Sequence, residues 1–329
     1  MRAIDAMNTF TKYPNTMTRT NKQMQNDTMN KVIAPFVNSE QHWKVQVAAL
    51  CAGNSRLVFA VACAFAGPLL RPAGIATGGF HFRGGSSSGK TTALKVAASV
   101  NGQPDGLQRW GKTGRALESI AAQQCDSLLV LDALELVDQK TAGKCIDKLF
   151  SGVGKSRAAR EGEPRPRLSW RLLFLSAGEL GLADQMAEGM KRARTGQEVR
   201  MAEIPADAGA GCGMLENLHG MDGGGSAFSR HIVEQAGRCY GGPGRAWLQW
   251  LTENARTLKP DLRQRIQEIE RHMLPEAGAG QVQRAGLRFA LVGAAGEMAT
   301  AAGLTGWEPG ESERAAITCF NAWMASVKP

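Results

Sequence analysis

Eight consecutive residues carry the first chemical signal. Gly84-Gly85-Ser86-Ser87-Ser88-Gly89-Lys90-Thr91 fits GxxxxGK(S/T), with the strand-like GGFHFR entering it and the helix-forming TTALKVAAS leaving it. Glycines in such a loop let successive backbone N–H groups converge on phosphate oxygens without Cβ clashes. The helix N-terminus, opening with Lys90, Thr91 and Thr92, adds the positive end of its dipole. Lys90 is placed to bridge β- and γ-phosphates, and the Thr91 hydroxyl to ligate Mg²⁺. Gly84 to Thr92 are therefore the expected nucleotide contacts, with ATP and Mg²⁺ as the expected cofactors.

A second pattern overlaps the first. Gly85-Ser86-Ser87-Ser88-Gly89 also satisfies GxSxG, which would make Ser87 a hydrolase nucleophile. That chemistry needs an acid and then a histidine further along the chain. His219, His231 and His272 are available, none in a recognisable context, and the pattern gives no reason for Lys90-Thr91. It is the minor alternative.

ATP chemistry needs a second strand ending in a carboxylate that holds the magnesium shell. SLLVLD (127–132) supplies Asp132, which joins Thr91 as an expected metal ligand. Many such strands carry an adjacent Glu that polarises the attacking water; here that neighbour is Ala133. Glu135 lies two residues further on, where a turn would bring it back towards the site. Loss of a general base costs ~10²–10⁴-fold. Nucleotide binding thus follows more firmly than hydrolysis, and a binding module without turnover is the main alternative.

The net charge of +9 is concentrated in two places. Residues 151–171 hold Lys155, Arg157, Arg160, Arg165, Arg167 and Arg171 against Glu161 and Glu163, a local +4. Residues 1–35 add +3, leaving +2 for the rest. KSRAAR-EGEP-RPRLSW reads as two short arms around a Gly/Pro turn, a projecting hairpin. Basic groups on such an arm neutralise phosphates without reading base edges, which suits sequence-independent binding of DNA, single-stranded above all. A solvated surface loop is the plainer reading. Arg192 and Arg194, in KRAR, close a helical stretch. There they either complement the helix dipole or reach a neighbouring subunit's γ-phosphate.

These residues need a frame to position them. GGFHFR (78–83), SLLVLD (127–132), WRLLFLS (170–176) and EVRMAEIP (198–205) are the strand candidates, with helical stretches near 90–99, 115–124, 138–150 and 181–192. Strands alternating with helices call for a parallel sheet covered on both faces, an α/β fold. Residues 1–35 form a flexible arm, 36–77 a helical lead-in, 78–208 the P-loop core, 209–227 a Gly-rich linker and 228–329 a helical C-terminal domain. Asn54 or Ser55 is expected to cap a second lead-in helix. In the last region Leu262, Ile266, Ile269 and Met273 mark one helix face.

Several classes drop out. The longest apolar run, LVFAVACAFA (57–66), falls short of the ~20 residues that cross a bilayer and is expected as a buried core helix. The N-terminus has no apolar stretch of signal-peptide type. Seven cysteines, odd in number and never in CxxC spacing, fit neither a disulfide scaffold nor a zinc ribbon. A reduced, cytoplasmic protein is expected.

CAGNSRLVFAVACAFAGPLL, GGFHFRGGSSSGKTTALKVAASV, SLLVLDALELVD, SGVGKSRAAR, SWRLLFLSAGELGLADQM and KRARTGQEVRMAEIPADAG together resemble a bacterial family of prophages and other mobile elements, the domain of unknown function 927. The resemblance runs from about Trp43 to the C-terminus, where QVQRAGLRFALVGAAGEMATAAGLTGW also resembles the family. Its members look like AAA+ ATPases related to superfamily III and MCM-type replicative helicases, often attached to primase modules. The resemblance implies an AAA+-type P-loop fold and a hexameric homo-oligomer translocating on DNA, with a primase as a further partner. The 152–169 hairpin would line the pore. Ser176, at the tip of WRLLFLS, would contact the γ-phosphate or the attacking water, and Arg192 or Arg194 would be the trans-acting finger. Family members usually read Asp-Glu where this chain has Asp132-Ala133, which sets hydrolysis in question, and they are longer at both ends, so a fragment or a decayed prophage copy is expected.

Overall fold

The computed structural model describes residues 39–112, 114–155, 157–158, 164–165, 167–190, 196, 200–274 and 280–327. The apolar runs become β1 (Gly78–Arg83), β3 (Leu128–Asp132), β6 (Leu173–Gly178) and β7 (Met201–Pro205), all parallel and joined at the edge by the two-residue β2 (Gln108–Arg109). The order β2-β3-β6-β1-β7 sets the first strand between two later ones, so the loop after β1 opens at the carboxyl ends of the strands beside that crossover. β4 (Arg157–Ala158) and β5 (Pro164–Arg165) form a separate antiparallel pair. β2 carries no apolar signal and was not expected from the sequence; pairing with β3 alone defines it.

Strand alternation sorts side chains onto two faces. Phe80, Phe82, Leu128, Val130, Leu173, Leu175, Ala202 and Ile204 belong to one buried cluster. Leu129, Leu131, Phe174 and Met201, one residue out of step, belong to the other.

On the first face α1 (Ser55–Ala66) crosses the sheet with Leu57 to Ala66 all buried. The apolar stretch Ser55–Ala73 has the length and composition to span a bilayer, yet 78% of it is buried inside the protein: it is the expected core helix. α2 (Lys90–Ser99), α6 (Gly224–Arg238), α7 (Gly242–Glu253), α8 (Leu258–Met273), α9 (Gly280–Ala301) and α10 (Glu311–Ser326) contribute to the same cluster. Phe59, Phe80 and Phe289 lock it, with ring centroids 4.8, 5.4 and 4.7 Å apart. Lead-in, sheet and C-terminal helices thus share one core, with no gap in packing at the boundaries expected near 77 and 228. Leu262, Ile266, Ile269 and Met273 are all buried.

The second face is covered by α3 (Gly114–Gln123), α4 (Ala142–Phe150) and α5 (Leu182–Glu188). The buried Glu118 of α3 pairs there with Lys148 of α4 at 3.0 Å. All seven cysteines are free thiols, and burial pushes those of Cys51, Cys63 and Cys319 upward, the last to about 12.

Candidate functional site

β1 ends at Arg83, and Gly84 N–H donates to Gly178 O of the neighbouring β6 at 3.3 Å, which roots the loop in the sheet. Gly89 has φ 93°, a left-handed conformation that favours glycine, and the chain then enters α2 at Lys90. The Lys90 ammonium sits over the loop, donating to Gly84 O and Gly85 O at 2.7 Å each and to Ser88 Oγ at 3.3 Å. Thr91 Oγ1 donates to Asp132 Oδ2 at 3.3 Å, so the loop's hydroxyl meets the carboxylate that ends β3. Thr92, next along, is on the buried side of α2. Thr91 and Asp132 are hard oxygen donors at a phosphate-shaped loop. That set suits Mg²⁺, which takes one or two carboxylates plus phosphate oxygens and keeps several waters.

The Gly-rich segment expected as a linker is part of this wall. Met214 N–H donates to Ser88 O at 3.0 Å, and a Cβ on Gly213 (φ 62°) would stand 2.6 Å from the same oxygen. The segment is tied to α1 through Asn54, whose buried carboxamide accepts from Glu216 N–H (2.8 Å) and Asn217 N–H (2.9 Å) and donates to Asn217 O (2.9 Å). α1 begins at Ser55, as expected, but the Glu216 carboxylate caps the Ser55 N–H and Asn54 does not.

Ser87 lies in the loop at φ 60°. Of the histidines a nucleophile would need, His219 bonds Ala52 O at 2.9 Å and His272 pairs with Glu313 at 2.6 Å. Neither serves Ser87.

Ser176 lies deeper in its strand than the end of WRLLFLS suggests. β6 runs two residues past it, because Phe82 and Arg83 pair with Ala177 and Gly178. Ser176 is fully buried, accepting from Trp110 Nε1–H at 2.7 Å and bonding His81 Nδ1 at 2.9 Å. His81 Nε2 lies 3.0 Å from Leu180 O, a carbonyl that only accepts, so Nε2 carries the proton and Nδ1 takes the Ser176 hydrogen. Burial, with the Arg83 and Lys90 charges nearby, lowers the His81 pKa to about 4 and keeps the ring neutral. The hydroxyl is thus engaged on both sides inside the sheet. His81 and Trp110 are the residues sequence reasoning missed. The alternation in GGFHFR, which turns His81 away from Phe80 and Phe82, was the signal for the first.

A turn does follow Asp132, ahead of Glu135. Ala133, at φ 61° and ψ 67°, reverses the chain, and its N–H donates to Asp132 Oδ1 at 2.9 Å. A short 3₁₀ turn, Leu134–Leu136, follows. It sets the Glu135 carboxylate over Gly178, the residue whose carbonyl roots the glycine-rich loop.

The described residues of the basic segment form two antiparallel arms, as a hairpin requires. Val153 bridges Ser169, Gly154 N–H donates to Leu168 O at 2.8 Å, and Arg157 and Ala158 pair with Arg165 and Pro164. Gly152 (φ 68°) opens it, where a Cβ would stand 2.9 Å from Trp170 O. Lys155 and Arg167 are exposed, and Arg167 Nε–H donates to Gly154 O at 2.5 Å. Arg157 and Arg165 are directly opposed in the ladder. Arg160, Arg192 and Arg194 lie outside the described residues, as does the expected arm at 1–35.

The resemblance drawn from the sequence is met. The sequence model of the family "Domain of unknown function (DUF927)" matches residues 15–168, beginning ahead of Trp43 and ending in the hairpin's second arm. No curated protein matches the chain. Among solved structures, one described as "SCCmec type IV Cch - active helicase" is similar to it with a TM-score of 0.60 at 17% identity. The similarity covers 88% of this chain and 50% of that one, so the chain spans half the length of that structure. At this identity what the two share is the fold: a five-stranded parallel sheet flanked by helices.

Proposed function

We propose that the chain is an ATP-dependent DNA translocase or helicase-type ATPase of a mobile genetic element. One observation carries the reading: Lys90 crowns a glycine-rich loop whose next residue, Thr91, touches Asp132 at the end of the apolar strand β3, one strand removed from β1 in the sheet. In this reading the loop N–H groups and Lys90 bind the phosphates of ATP, and Lys90 offsets charge on the transferred group. Thr91 and Asp132 hold Mg²⁺, which when bound shields phosphate charge and orients the terminal phosphoryl group.

The basic hairpin supports DNA as the second ligand, through phosphates and independently of sequence. The likeness to a structure described as an active helicase supports the same choice. A ring of identical copies, with Arg192 or Arg194 reaching the neighbour's nucleotide, and a primase partner belong to this reading.

Steady-state MgATP hydrolysis with and without single-stranded DNA, using Lys90→Ala as blank, tests it. DNA-stimulated turnover is the expected result. Nucleotide binding without turnover would favour the alternative that Ala133 motivates, an ATP-binding scaffold that has lost its engine.

A further inference from the structure

Gly178 has an ordinary extended backbone, so its conformation alone does not call for glycine. Space does. A Cβ there would stand 3.0 Å from Glu135 Oε2, 3.1 Å from His81 Cε1 and 3.1 Å from Leu134 Cβ. Three groups therefore converge on the volume a side chain would fill. Two of them are fixed independently of Gly178. Leu134 is buried, at 1% exposure, and begins the turn that Ala133 reverses. The His81 ring is held at both nitrogens, by Ser176 and by Leu180 O. Trp110, which donates to Ser176, also donates its backbone N–H to Asp132 O at 3.2 Å, tying the same cluster to the end of β3.

We propose that Glu135, whose carboxylate shares the space over Gly178 with the His81 ring, is the base that activates water in place of the carboxylate missing at position 133, and that Gly178 and His81 are positioning residues for it. The proposal rests on the ATPase reading above. Hydrolysis forms a bond from the water oxygen to the terminal phosphorus. It breaks that atom's bond to the bridging oxygen, which leaves on ADP with the electron pair. The proton of the water passes to the Glu135 carboxylate and from there to the phosphate product. Two-residue displacement of the base is possible because Ala133 takes a left-handed turn and Gly178 leaves room for the returning carboxylate.

The test is MgATP turnover and fluorescent-nucleotide binding for wild type, Glu135→Gln, Gly178→Ala and the double variant. Glu135→Gln is expected to lower kcat by ~10²-fold or more with nucleotide affinity within about twofold. Gly178→Ala is expected to lower kcat by about tenfold, again without loss of affinity. The double variant should be no slower than Glu135→Gln, because both changes act on one unit. Turnover of Glu135→Gln within about twofold of wild type would overturn the proposal, as would a Gly178→Ala effect that persists undiminished on the Glu135→Gln background. Wild type that binds MgATP without turning it over would overturn the ATPase reading itself, and the proposal with it. Glu135 is exposed, so its variant isolates the chemistry even if Gly178→Ala folds poorly.

Discussion

The two faces of the sheet are built differently. Against one lie α1, α9 and α10, and the contact is aromatic and aliphatic: Phe59, Phe80, Phe289, Phe320 and Trp323, with ring centroids 4.7–5.8 Å apart. The other is threaded with polar groups: His81 and Ser176 side by side in register, Glu203 in the next strand, and Glu118 paired with Lys148. Each of these groups has work to do near a loop. Glu203 accepts the Leu182 N–H at 2.6 Å, fixing the start of α5, and His81 holds Leu180 just before it. Glu118 Oε2 lies 3.1 Å from the Cβ position of Gly154, at the foot of the basic hairpin. Apolar packing is non-directional and gives stability; hydrogen bonds have direction and fix where loops stand. One face is scaffold, and the other aims the loops of the site.

This comparison can be broken or sharpened by substitution. The largest effect on stability is expected on the apolar face, where Phe289→Ala should cost about 3–5 kcal/mol in urea unfolding, with nucleotide affinity retained in whatever fraction folds. On the polar face the signature is pH. His81 is neutral when folded, so between its ordinary value near 6.5 and its folded value of about 4 the unfolded chain binds a proton the native one does not. The stabilisation is fully present above about pH 6.5 and is lost as pH falls towards about 4. It amounts to at most about 3 kcal/mol, at 1.36 kcal/mol per unit. His81→Asn should remove that share of the acid dependence, seen as a flatter plot of urea midpoint against pH. An unchanged slope would show that the imidazole is not held neutral.

The smallest effect is expected at the hairpin. Arg157→Ala and Arg160→Ala should each weaken DNA binding alike on all sequences and reduce the slope of log K against log salt by about one, measured by salt titration. A loss confined to one sequence would count against phosphate contact.

The fold and the glycine-rich loop between β1 and α2 were legible because both rest on fixed local spacing: four apolar runs, and glycines, Lys90 and Thr91 at set intervals. The hairpin was legible from composition, as Gly and Pro separated two basic arms. What escaped was set by partners distant in the chain. WRLLFLS looks finished at Ser176, but pairing with Arg83 carries the strand to Gly178 and buries the serine. The two residues of β2 exist as a strand only beside β3. The Gly-rich stretch looked like a boundary, yet Asn54 and Ser88 bind it into the wall of the site. Glu135 was visible as a carboxylate two residues late; its seat depends on the left-handed Ala133 and on the bare Gly178, which no spacing rule records.

The most direct test is to measure MgATP turnover and the urea midpoint of Glu135→Gln on one preparation. A fall in kcat of ~10²-fold with the midpoint unmoved is the predicted result, since an exposed carboxylate that only aims at substrate contributes little to folding. Unchanged turnover, or a loss of turnover matched by a loss of stability, would contradict the assignment of this face to chemistry.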